Sequence, residues 1–150
     1  LYVLPARIEE RLRESDEVVI WDVGLGAAHN SMAVIHEYLE KDFPCKIRIV
    51  SFENDTDPLK LALRNAPAFP HLHHKAPHEL LKHNKWVSPT GNIEWELIQG
   101  DFAHTFEGAP KPHVIFYDPF SMVTNTELWS EDAFARIFDY CRGNEVQLLN

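Results

Sequence analysis

Short apolar runs alternate along this chain with segments of helical spacing. Val18-Val19-Ile20-Trp21-Asp22-Val23 is nearly continuous in strand formers, as a parallel strand buried on both faces requires. The turn Gly24-Leu25-Gly26 follows. Apolar positions 32, 35 and 39, with 34 and 38 beside them, then predict a helix over 30–41, with Asn30 as its N-cap and Phe43-Pro44 as its end. Upstream, Leu4, Ile8 and Leu12 repeat every fourth residue and predict a short amphipathic helix with Pro5 in its first turn. A second strand over 47–52 ends at Glu53. Asp57-Pro58 reads as N-cap and first position of a helix running through Leu63. A short helix is expected over 78–82. Alternation over 93–98 predicts a third strand, and 113–117 a fourth that ends in Asp118-Pro119-Phe120. A helix begins near Glu127-Leu128-Trp129. Its Phe134, Ile137, Phe138 and Cys141 fall at i, i+3, i+4 and i+7 and are assigned to the core, with Gly143 as the C-cap. Residues 145–149 make a fifth strand. Strands alternating with helices in this way predict an α/β fold with a mostly parallel sheet.

Strand, glycine turn, helix is an arrangement that holds a nucleotide-like ligand at the carboxyl end of a parallel sheet. A dinucleotide fingerprint needs a third glycine where this chain has His29, which argues against a nicotinamide dehydrogenase. The spacing Asp22-x-Gly24-x-Gly26-x-Ala28 instead resembles the acid-x-Gly-x-Gly-x-Gly motif of class I S-adenosylmethionine (SAM) methyltransferases, with alanine in the last position. In that frame Glu53, closing the second strand with Asn54 beside it, accepts hydrogen bonds from both ribose hydroxyls. Asp101 accepts from the adenine amine, and Phe102 covers the ring. Each feature also has a structural alternative: a tight turn without ligand, a helix cap at the strand end, and a Gly100-Asp101 turn with Phe102 in the core. Between residues 65 and 92 the chain carries Pro67, Pro70, Pro77 and Pro89 together with His71, His73, His74, His78 and His83. No Cys or H-E-x-x-H pattern accompanies these histidines, so a solvated or substrate-facing loop is expected there and no metal site.

The net charge of −9 over 150 residues excludes a broad basic surface for nonspecific nucleic-acid binding, though not a local patch. With 45% hydrophobic and 25% charged residues the chain has the composition of one globular domain spanning 1–150. It shows no apolar run of membrane-spanning length. Arg7, Glu9, Glu10, Arg11 and Arg13 stand where a signal peptide would be apolar. Cys45 and Cys141 are too few for a disulfide framework. A cytoplasmic protein without membrane contact is the expectation.

The strand-end series Asp22-x-Gly24-x-Gly26, Ser51-Phe52-Glu53, Gln99-Gly100-Asp101-Phe102 and Tyr117-Asp118-Pro119-Phe120-Ser121, with Asn125-x-Glu127-Leu128-Trp129, resembles the methyltransferase domain of MnmC, in particular the stand-alone form without an FAD oxidase domain. The similarity covers nearly the whole chain. Met122, Thr124 and Thr126 stand where the family stretch has Pro, Lys and Pro. The resemblance implies a Rossmann-like, three-layer αβα fold. It also implies that the sequence stops before the antiparallel hairpin that completes the family's sheet, so the domain is expected to be incomplete at its C-terminal end. The activity implied is transfer of a methyl group from SAM to the primary amine of 5-aminomethyl-2-thiouridine at the tRNA wobble position, with tRNA as partner and a separate FAD-dependent oxidase or other tRNA-modifying enzyme beside it. Asp118 is then assigned either to the amine, as hydrogen-bond and proton acceptor, or to the amino group of the cofactor. Phe120 and Tyr117 are expected to wall or stack on the uracil ring. A non-catalytic relative, and a methyltransferase acting on another small-molecule or protein amine, are the competing expectations.

Overall fold

The computed structural model describes residues 7–119 and 125–150. Its centre is a six-stranded sheet of order β3-β4-β2-β1-β5-β6, built from β1 (Glu17–Val23), β2 (Lys46–Glu53), β3 (Lys85–Val87), β4 (Ile93–Gln99), β5 (Val114–Tyr117) and β6 (Gln147–Leu149). All neighbouring strands run parallel except β3, which pairs antiparallel with β4 at one edge, Trp86 opposite Trp95. Strand alternation divides the core. Val18 and Ile20 of β1 face one layer, together with Ile47 and Ile49 of β2; Val19, Trp21 and Val23 face the other with Val50 and Phe52.

On the first face lie α1 (Ile8–Glu14), α2 (His29–Lys41), α3 (Asp57–Arg64) and α4 (Lys75–His83), contributing Ile8, Met32, Ile35, Leu59 and Leu80 to the core. On the second lie α5 (Phe102–Thr105), the 3-10 turn Phe106–Gly108 after it, and α6 (Glu131–Tyr140), packed on Trp21 through Phe102, Phe106 and Tyr140. The result is the three-layer αβα arrangement expected, with Cys45 a buried free thiol in one layer and Cys141 in the other. No helix among the described residues is long and apolar enough to cross a membrane.

Several local expectations change. The chain enters α2 through Ala28 in a left-handed conformation (φ 61°), and no side chain caps the helix, so Asn30 lies inside its first turn. Thr56 is the N-cap of α3, and Asp57-Pro58 fill its first two positions. The short helix of 78–82 extends over Lys75–His83, with His74 as N-cap accepting from the Ala76 amide. The β3 strand was not expected. Of the predicted stripe on α6, Ile137 and Cys141 are buried but Phe138 is half exposed (50%). The helix reaches its C-cap at Cys141, and Gly143 lies beyond it with φ 96°. Leu4 and Pro5 of the first predicted helix lie outside the described residues.

Candidate active site

The carboxyl ends of β1, β2, β4 and β5 come together at one side of the sheet. Gly24 follows β1 directly. Its amide donates to the Phe52 carbonyl (3.0 Å) while the Asp118 amide donates to Val23 O (2.9 Å), so the turn is stitched to strands on both sides. Gly24 has φ +87°, and a Cβ there would lie 2.7 Å from the Asp118 carbonyl carbon and 2.9 Å from Pro119 Cα. Only glycine lets the end of β5 approach the turn this closely.

Glu53 closes β2 and is 5% exposed. Its Oε1 accepts from the amides of Asn54 (2.8 Å) and Asp55 (2.9 Å), and its Oε2 accepts from the Gly26 amide (3.1 Å). The carboxylate thus locks the glycine turn to β2 while Oε2 keeps lone-pair capacity for a further donor.

Two cavities adjoin here and share Gly24 and Glu53 in their walls. The smaller, about 110 Å³, is also lined by Asn54, Asp101, Phe102 and Asn125. The larger, about 610 Å³, is lined by Gly26, Ala27, His29, Asn30, Asp118 and Trp129 as well. Among the described residues, neither is lined by a Lys or Arg. The amino end of α2 opens onto the larger cavity with no side-chain cap and no acid in its first turn, so its free amides favour a negative group. Two buried polar atoms in these walls have no hydrogen-bond partner among the described residues, Trp129 Nε1 and Asn125 Oδ1.

The expected site residues divide accordingly. Gly24, Gly26, Glu53 and Asp118 line the larger cavity, and Gly24, Glu53, Asn54, Asp101 and Phe102 the smaller. Asp101 is at the same time the N-cap of α5, with Oδ1 accepting from the Ala103 amide and Oδ2 3.1 Å from His104 Nδ1. Phe102 is buried against Phe52 and Trp21. Tyr117 lies in the wall of neither cavity. Strand alternation turns it into the α5/α6 layer, where it is fully buried, donates its hydroxyl to the Leu128 carbonyl and has its pKa pushed up to about 12 by burial. A phenol held there has no face free for a substrate base. Phe120 lies outside the described residues. His29, Asn30 and Trp129 were not assigned to the site from sequence. The only signal for His29 was an imidazole in a position that a dinucleotide turn gives to glycine.

Asp22 also lines neither cavity and is 1% exposed. Its Oδ2 accepts from Ser31 Oγ of α2 (2.5 Å) and Ser51 Oγ of β2 (3.3 Å), and Ser51 in turn accepts from Trp95 Nε1 (2.8 Å). The carboxyl therefore ties α2 to the sheet beneath the glycine turn. Burial raises its pKa to about 7; the two serine bonds oppose the shift, and the nearby Glu53 and Asp118 charges add to it. A carboxyl whose pKa is 3.8 when unfolded and about 7 when folded binds more protons in the native state, so its stabilising contribution is complete below pH 4 and is lost as pH rises through 7. Asp22→Asn, which stays neutral, is expected to gain stability over the parent chain by up to about 1.4 kcal/mol per pH unit across that window. Urea melts at pH 4, 5.5 and 7.5 would show the gap widening; a constant gap would mean that the carboxyl is ionised throughout.

The histidines of the 65–92 segment form no metal cluster: no three His, Cys, Asp or Glu side chains converge among the described residues. His71 donates from Nε2 to the Ala27 carbonyl (2.8 Å), and its ring stacks on His29 with centroids 3.8 Å apart.

No protein-family model and no curated protein matches the chain. Among solved structures, MnmC2 from Aquifex aeolicus superposes on 93% of this chain with a TM-score of 0.66 and 23% sequence identity. An S-adenosyl-L-methionine-dependent methyltransferase structure from Methanococcus maripaludis gives a weaker likeness, 15% identity over 98% of this chain and 54% of its own, with a TM-score of 0.43. The chain spans 44% of the Aquifex protein's length. Over that part it has the fold of MnmC2, as its strand-end motifs predicted.

Proposed function

We propose that the chain is a SAM-dependent, MnmC-like methyltransferase that methylates the primary amine of 5-aminomethyl-2-thiouridine in tRNA. The observation that carries this reading is the pair of adjoining cavities sharing Gly24 and Glu53. Their chemistry fits a ligand with an adenosine at one end and an amino acid at the other. Asp101 and Phe102 would take the adenine, and the open acceptor on Glu53 Oε2 the ribose. The uncapped amino end of α2 would take the carboxylate, and Asp118 the ammonium or the incoming amine. When bound, SAM supplies an electrophilic methyl on a sulfonium, so the protein's task is to set an uncharged amine in line with it. Such positioning contributes roughly 7–11 kcal/mol in ideal systems. The tRNA acceptor rests on the family resemblance, as does a separate FAD-dependent oxidase that would expose the amine.

A second reading, an acceptor amine on a small molecule or another protein, is favoured by the net charge of −9 and by cavity walls in which none of the described residues is a Lys or Arg. Calorimetric titration with S-adenosylhomocysteine, followed by methyl transfer to tRNA bearing the free amine, tests the first reading. Micromolar binding with transfer supports it. Binding with transfer only to small amines would select the second, and no binding by folded protein would reject both.

A further inference from the structure

The His29–His71 pair is unused by the reading above. His29 opens α2 and lines the larger cavity together with Asp118. Among the described residues no hydrogen bond engages its ring nitrogens. Its orientation comes instead from His71, stacked on it at 3.8 Å and inclined by 28°, with Phe69 edge-on at 6.4 Å. His71 is itself fixed at both ends: its Nε2 donates to the Ala27 carbonyl, and its own carbonyl accepts from His36 Nε2 at 3.0 Å. An exposed imidazole held by stacking at the mouth of a cavity, its nitrogens engaged by none of the described residues, is arranged for proton transfer rather than for structure.

We propose that His29 is the proton acceptor for the substrate amine and that His71 is its positioning residue. This rests on the methyltransferase reading. In the step, the bound substrate ammonium first gives one proton to a ring nitrogen of His29. The freed lone pair then forms the new N–C bond as the S–C bond breaks and its electron pair leaves on sulfur; the methylated ammonium departs as product and His29 releases its proton to solvent. His71 from the 65–92 segment stacks on His29, and Glu53 and Asp118 are the other titratable residues in the lining of the same cavity. Burial, and then the neighbouring His71, lower its pKa from 6.5, so the ring is neutral and ready to accept at pH 7.

Three measurements on the whole chain test this. In a ring-proton NMR titration His29 should titrate below 6.5 and move upward in His71→Ala; a ring that stays mostly protonated at pH 7 in the parent chain would overturn the proposal. S-adenosylhomocysteine affinity of His29→Gln should stay within about threefold of the parent, while single-turnover methyl transfer at pH 7 falls about 100-fold and loses its acid limb. A variant that binds the cofactor product normally and keeps both rate and acid limb would overturn the proton-acceptor role. So would one whose whole defect is weaker cofactor binding. If the parent chain itself fails to bind S-adenosylhomocysteine, the methyltransferase reading has failed, an outcome distinct from either of these.

Discussion

Gly24→Ala is expected to reduce S-adenosylhomocysteine affinity by more than 100-fold and to lower the melting temperature by several degrees. Two penalties combine. An alanine at φ +87° carries about 1–2 kcal/mol of backbone strain. Its Cβ would also sit within 3 Å of the Asp118–Pro119 backbone, which is not a flexible side chain that can swing aside. The end of β5 would have to move, carrying Asp118 out of the wall of the larger cavity and Pro119 out of that of the smaller. Gly26→Ala is the matched control. It has φ +53° but nothing within 4 Å of a new Cβ, so only the strain applies. Thermal melts and calorimetry of the two variants side by side decide the matter. Equal losses would mean that the close approach of β5 to the turn is not what the glycine protects.

Glu53→Ala is expected to lose at least 100-fold in affinity for the same ligand, with Glu53→Gln close behind. Hydrogen bonds to a charged group contribute about 1.5–3 kcal/mol each, and this carboxylate has two tasks: it holds the amides of Gly26, Asn54 and Asp55 and it offers Oε2 to the ligand. A glutamine keeps the length but replaces one oxygen with an NH₂ that must face an amide donor or the ribose hydroxyls. Competition binding with adenosine would isolate the ribose contribution. A loss below threefold in both variants would leave Glu53 only its role in the turn.

The central strands were legible because burial on both faces leaves little choice of residue: Val18 to Val23 and Ile47 to Phe52 read as strands without reference to their partners. Strand β3 was not legible, because Lys85-Trp86-Val87 is three residues long and exists through its pairing with β4 across Trp86 and Trp95. The glycines, Glu53, Asp101 and Asp118 could be assigned from position alone, since strand ends of one sheet converge. The direction of a side chain at such an end could not. Tyr117 adjoins Asp118 in sequence, yet the two-residue period of the strand turns its ring into the core. His29 and His71 are 42 positions apart, and their stack follows from how the segment after α3 folds back over the glycine turn, which no local pattern records.

Cys45 and Cys141 are 2% and 3% exposed, and burial raises the pKa of both thiols. Neither offers a reactive thiolate at neutral pH. The chain therefore comes ready for site-specific labelling: a cysteine placed at an exposed position such as Leu61, 62% accessible on α3, would take a maleimide dye without background from the native pair. A fluorophore there would lie on α3 without altering any residue of the two cavity walls.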